Sequence, residues 1–90
     1  MAKLLKAMTD ILELPSDIMM SLPKIEIIGN MEATIENHRG LLEYTTEQIS
    51  IRGNKGITLI LRGRKLRLKR LYKEEITIQG FLLDIEFSID

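Results

Sequence analysis

The sequence predicts an all-β domain with a short N-terminal α-helix, its strands forming an antiparallel meander of about eight short segments, barrel-like or two-layered. Three observations predict this. From Lys24 onward apolar residues recur at every second position, as in Ile25/Ile27, Ile49/Ile51, Leu59/Leu61, Leu66/Leu68 and Ile76/Ile78, which places them on one face of a strand. The runs are separated by Gly29-Asn30, Asn37 to Gly40, Gly53 to Gly56, Gly63 and Gly80, residue types that supply the unusual backbone angles of tight turns. Before Lys24 the apolar period is instead about 3.6 residues.

Residues 3–14 carry Leu4, Leu5, Met8, Ile11 and Leu12 at helical spacing, with Lys3, Lys6, Thr9, Asp10 and Glu13 between them. This is an amphipathic helix in the making, fit to dock on a sheet as a lid or to bind a membrane surface or partner. Pro15 ends it, because proline disfavours the α conformation in the residue before it. Ser16-Asp17 can cap one further turn through Ser21, and Pro23 marks entry to the sheet.

The meander, residues 24–89, can be tested hairpin by hairpin. A loop at Gly29-Asn30-Met31 sets Ile27 opposite Ala33 and Ile25 opposite Ile35. A turn centred on His38-Arg39 would place Ile35 opposite Leu42 and Ala33 opposite Tyr44. One at Thr46-Glu47 pairs Tyr44 with Ile49 and Leu42 with Ile51, and a loop at Asn54 matches Ile51 with Ile57. A central hairpin follows: Ile57 to Arg62, a type II′ turn at Gly63-Arg64 with positive φ at Gly63, then Lys65 to Arg70, with Leu61 facing Leu66. Leu68 then meets Ile76, and a last turn at Gly80-Phe81 sets Ile78 opposite Leu83 and Ile76 opposite Ile85. The alternative is a β-solenoid, since an apolar-x-apolar-x-Gly phrase recurs at Ile25–Gly29, Ile49–Gly53, Leu59–Gly63 and Ile76–Gly80. Its irregular spacing favours the meander, because stacked repeats keep a fixed period.

Ninety residues suit one domain, 1–90. So short a chain buries only about 60–65% of its unfolded surface, which makes a docked helix or a second subunit valuable. Thirteen basic and thirteen acidic side chains cancel, so any electrostatic role is local. The absence of cysteine rules out disulfides and thiolate chemistry, and a single histidine makes an all-protein zinc site improbable. With no signal-peptide pattern and no apolar run near ~20 residues, a soluble cytoplasmic protein is the expectation.

Two polar groups stand out. Glu36-Asn37-His38-Arg39-Gly40 combines a proton exchanger, an orienting acid and an anion holder. The same residue types are those a turn needs, and strand alternation sends Glu36 toward solvent, so a structural turn is the better reading. Neither a nucleophile motif nor a glycine-rich phosphate loop accompanies it, so no catalytic residue, cofactor or metal is expected. The second group is Arg62, Arg64, Lys65, Arg67, Lys69, Arg70 and Lys73, seven cations in twelve residues uninterrupted by an acid. Alternation would place Arg62, Lys65, Arg67 and Lys69 on one exposed face, able to meet anionic lipid, a polyanion or an acidic protein patch. Nucleic acid is disfavoured because Tyr72 is the lone aromatic beside the patch. Acids at Glu32, Glu36, Glu43, Asp84 and Glu86 lie on other strands, which permits head-to-tail self-association.

The residues Leu14-Pro15-Ser16-Asp17, Leu22-Pro23-Lys24-Ile25, Ile28-Gly29-Asn30 and above all Ile35-Glu36-Asn37-His38-Arg39-Gly40-Leu41 with Tyr44 carry a family likeness. Gly63-Arg64-Lys65-Leu66 and Ile76-Thr77-Ile78-Gln79-Gly80 extend it over nearly the whole chain. The sequence resembles the YabP/YqfC family of sporulation proteins of endospore-forming bacteria, its YqfC branch in particular. The resemblance implies a small non-enzymatic protein of the mother cell, needed after the developing spore is engulfed. The resemblance and the charge pattern together suggest an assembly or adaptor module at the forespore surface. Its expected partner is a second copy or a membrane-bound sporulation protein, with peripheral contact to the forespore membrane and direct binding of an anionic surface as the alternative.

Overall fold

The computed structural model describes residues 21–90. The helix expected over 3–14 and the capped turn at Ser16-Asp17 lie outside the described residues. Six strands form one antiparallel sheet: β1 (Lys24–Ile28), β2 (Glu32–Glu36), β3 (Gly40–Tyr44), β4 (Gln48–Arg52), β5 (Ile57–Leu71) and β6 (Glu75–Ile89), in the order β1-β2-β6-β5-β4-β3. All five pairings are antiparallel, and the sheet is not closed into a barrel. Stacked solenoid repeats are therefore not the architecture.

The expected eight strands become six because Gly63 and Gly80 lie inside strands. β5 and β6 are each 15 residues long and joined at Tyr72 to Glu74, where Tyr72 N–H donates to Glu75 O at 2.8 Å. Leu61 thus faces Ile85 instead of Leu66, and Leu68 faces Ile78 instead of Ile76. The expected β2–β3 hairpin is also replaced. Ile35 pairs with Ile25 on one side and Ile76 on the other, and β3 pairs only with β4. Three register expectations hold: Ile25 faces Ile35, Ile27 faces Ala33, and Tyr44 faces Ile49. Two slip. Ile51 meets Leu41 because β3 bulges between Leu41 and Glu43, and on its other side it meets Leu59, two residues beyond Ile57.

The long hairpin cannot be straight. Glu36 pairs with Glu75 at one end of β6, while Gly40 connects through Arg52 and Thr58 to Ser88 at the other. A straight strand would separate those ends by about 43 Å, yet residues 37–39 span at most about 14 Å. The hairpin therefore bends, and its two halves close over one core. Register shifts between Arg62/Gly63, Arg64/Arg67 and Leu68/Arg70 mark the bend, as bulges do where a strand must turn sharply. Two residues of β5, Lys65 (φ 52°) and Leu66, there face the single Gly80 (φ 146°) of β6.

Gly63 is not among the positive-φ residues. It is required for space: a Cβ there would collide with the Phe81 carbonyl oxygen, and one at Gly80 would sit 2.8 Å from Leu66 Cα. The bulges also reset the side-chain alternation, so that Leu61 and Leu66, an odd number of residues apart, both point inward. Ala33, Ile35, Ile49, Ile51, Leu59, Leu61, Leu66, Ile76, Ile78 and Leu82 form one buried cluster, with Ile25, Leu41, Ile57, Leu68 and Ile85 packed around it. Burial at ~25 cal/mol per Å² makes this face the main source of stability. Leu42, Tyr44, Leu83, Phe87 and Ile89, expected on the same face, are exposed.

Candidate functional site

The Glu36 to Gly40 phrase forms a strap between the two halves of the sheet. Asn37 adopts φ 64°, and its N–H donates to Glu74 O at 2.8 Å while Nδ2 donates to Leu22 O at 3.1 Å. The Arg39 N–H donates to Arg52 O at 2.6 Å. Between them His38 is buried, 8% exposed. Gly40 N–H donates to its Nδ1 at 3.0 Å, which leaves that nitrogen without a proton, so Nε2–H donates to Tyr72 O at 2.9 Å. Both ring nitrogens are taken by backbone. A hollow of about 500 Å³ lies beside the strap, lined by Ser21, Asn37, His38, Arg39, Gly40, Lys73 and Glu74. Nothing in this set places Glu36 against the imidazole, since Glu36 faces Glu75 across β2–β6.

The cations that alternation groups lie along β5 on either side of its bend, and Arg62, Arg67 and Lys69 have partners on nearby strands. Arg62 Nη1 lies 3.1 Å from Asp84 and Nη2 2.8 Å from Glu86, with Nε donating to Gln48 at 3.2 Å. Hydrogen bonds donated to Glu86 and then to Asp84 raise the Arg62 pKa. On the other half Lys69 Nζ pairs with Glu32 at 3.2 Å, Gln79 Nε2 donates to the same Glu32 oxygen at 3.0 Å, and Arg67 donates to Gln79 Oε1 at 3.2 Å. The hydrogen bond from Gln79, then that from Lys69, holds the Glu32 carboxyl below its ordinary value of 4.5.

A depressed carboxylate contributes stability that is present above the unfolded value and lost as pH falls through the folded one. Wild-type melting temperature should therefore decline as pH drops below about 4.5, and Glu32→Gln should flatten that decline; parallel curves for the two proteins would contradict it. Removing Arg62 acts differently. Because its side chain is 41% exposed, Arg62→Ala should leave the urea-unfolding midpoint nearly unchanged; a large drop in the midpoint would show a desolvated ion pair instead.

Arg64, Lys65 and Arg70 have no ion pair among the described residues. Arg64 and Lys65 line a groove of about 830 Å³ where the β3–β4 turn meets the bend, together with Tyr44, Thr46, Glu47, Gly63, Leu66, Arg67 and Leu83. Backbone bonds hold its walls: Gly63 N–H donates to Glu47 O at 3.0 Å and Leu66 N–H to Thr46 O at 2.8 Å. Leu68 N–H donates to the Tyr44 hydroxyl at 3.3 Å, a contact that strand alternation alone could not reveal. The groove offers exposed cations at one wall, and Tyr44 and Leu83 supply apolar surface. Among the described residues no cluster of three or more His, Cys, Asp or Glu could hold a metal ion, and no helix is long and apolar enough to cross a membrane.

Comparison with known proteins adds the kinship. No solved structure matches the chain. The chain is 37% identical over 73 residues to the Bacillus subtilis (strain 168) protein described as "Uncharacterized protein YqfC", which covers 81% of this chain and 77% of the relative. The family model described as YabP matches residues 21–90, the span from the approach to β1 through the end of β6, and the chain therefore belongs to the YabP family.

Proposed function

We propose that this protein is a non-catalytic adaptor of spore formation, acting in the mother cell at the forespore surface, that receives an acidic segment of a partner in the groove at the β5–β6 bend. The observation that carries this reading is the pairing of Arg64 and Lys65, exposed and without an ion pair among the described residues, with Tyr44 and Leu83 in one concavity. Such a site suits a carboxylate-bearing peptide with an apolar residue beside the acid. A membrane-bound sporulation protein or a second copy of the chain can supply that segment. Family membership supports the sporulation process, and the engagement of both His38 nitrogens by backbone groups supports a non-catalytic role.

Arg64→Glu/Lys65→Glu should leave thermal melting unchanged while a fluorescent fusion in sporulating cells changes from forespore-surface to diffuse signal. Wild-type localisation of this variant would overturn the reading. Direct binding of anionic membrane is the second reading, favoured by the same two cations and by Arg70. Flotation with phosphatidylglycerol vesicles separates them: salt-sensitive flotation lost in the double variant would assign the groove to lipid, and no flotation would leave it to protein.

A further inference from the structure

The basic groove opens onto a strand edge that nothing among the described residues completes. β4 pairs with β5 only as far as Arg62, so from Lys65 to Leu71 β5 has β6 on one side and no strand on the other. β3, the margin of the same sheet, reaches this edge through a side chain: Leu68 N–H donates to the Tyr44 hydroxyl at 3.3 Å, and just past β3 Leu66 N–H donates to Thr46 O at 2.8 Å. Yet no Cα of β3 lies within 8 Å of one of β5, whereas paired strands sit about 4.8 Å apart. The two strands flank a slot wider than direct pairing, and a tyrosine spans it. Backbone donors line its β5 side. Leu66 and Leu68 N–H point away from β6, as their bonds show, and the register shift between Leu68 and Arg70 passes that phase to Leu71. Tyr72 N–H turns back to Glu75 O, in keeping with the alternation of amides along an antiparallel strand. Tyr44 and Leu71 at this edge are 47% and 54% exposed.

We infer that an acidic segment of a partner protein enters this slot as an added strand along β5, with acids toward both of its ends. The inference rests on the reading of the groove as the receiver of an acidic segment, and specifies backbone pairing as the means of holding it. Charge selects the occupant. Arg64 and Lys65 stand at the bend end of the edge, and Arg39 and Lys73 line the hollow at the other. None of the four has an ion pair among the described residues, and each end counters its cations with one acid, Glu47 in the groove and Glu74 in the hollow. Both ends therefore stay net positive. Lys65 to Lys73 covers at most about 26 Å of extended chain, which sets the separation of the acids. A second copy offering the same edge would bring like charges together. When the strand enters, the Tyr44 hydroxyl yields Leu68 N–H to a backbone carbonyl, and Leu71 N–H gains one.

The probe is a synthetic peptide of about nine residues, alternating threonine and valine with a glutamate at each end, long enough to reach both cationic ends. On adding it to the full-length protein, amide exchange at Leu68 and Leu71 should slow about tenfold. The same peptide carrying N-methyl groups at alternate backbone nitrogens should bind about tenfold more weakly in the phase that faces β5, because those donors are lost while charge and side chains are kept. Equal binding in both methylated phases, with exchange at Leu68 and Leu71 unchanged, would overturn the added strand and leave the groove as a receiver of charge alone. Protection at Leu71 that survives Arg64→Glu/Lys65→Glu undiminished would strike the groove reading and keep the edge. Neither binding nor protection would overturn the inference, with localisation of the double variant deciding the groove separately. Slowed exchange with phosphatidylglycerol vesicles but not with peptide would overturn it too, assigning the edge to lipid.

Discussion

Gly63→Val should lower the unfolding free energy by about 3 kcal/mol, measured by urea denaturation, and a loss under about 0.5 kcal/mol would show that the bend tolerates a side chain. The expected cost does not come from backbone dihedral strain, since Gly63 is not at positive φ. It comes from contact. A Cβ at this inward position would meet the Phe81 carbonyl oxygen of β6, with Phe81 C at 3.0 Å and the Leu66 side chain at 3.1 Å behind it. Backbone cannot rotate away as a flexible side chain can, so the strands must separate where their halves fold over the core. Gly63→Ala should already be costly, and Gly80→Ala should follow it, because Gly80 combines φ 146° with a Cβ position 2.7 Å from Lys65 O.

The second large effect is expected at the strap. His38→Ala should destabilise the protein by about 2–3 kcal/mol in the same assay, since it leaves the Gly40 N–H and the Tyr72 carbonyl without their partners at a partly buried site. The strap is what ties the tip of the β5–β6 hairpin to the β3–β4 half, so amide exchange should rise at Asn37, Arg39 and Tyr72 together. An unchanged melting curve would remove the structural role and return the imidazole to consideration as a chemical group. Each result bears on a different claim: Gly63 tests how the sheet bends, and His38 tests what holds it bent.

Much of the local structure was legible because it depends on neighbours in sequence. The Gly29-Asn30-Met31 loop fixes the β1–β2 register through the Met31 N–H to Ile28 O bond at 3.2 Å, and Ile27 duly faces Ala33. The Glu36 to Gly40 phrase was read as a hairpin turn; in the structure it is a strap between β2 and β3, which do not pair, and both ring nitrogens of His38 are hydrogen-bonded to backbone. The basic groove was less legible. Three of the cations singled out in the sequence, Arg64, Lys65 and Arg67, line it, but the phase switch after Gly63 was read as a tight turn, whereas the chain bends there within one long strand. One signal was present: Leu59, Leu61 and Gly63 share one phase while Leu66 and Leu68 share the other. A tight turn and a bulged bend both produce such a switch.

The amino-acid sequence by itself determined the β class, the apolar face and the strand-forming segments from Lys24 onward, since period-two burial is a property of a strand and its immediate neighbours. Only the tertiary structure decided that Gly63 and Gly80 sit within one long bent hairpin, that β2 joins β6, and that Arg62 is neutralised by Asp84 and Glu86 while Arg64 and Lys65 are left facing a groove. The physical reason is that a glycine permits either a turn or a close backbone approach. Which of the two forms depends on strands brought together from far along the chain, whose burial outweighs the local preference.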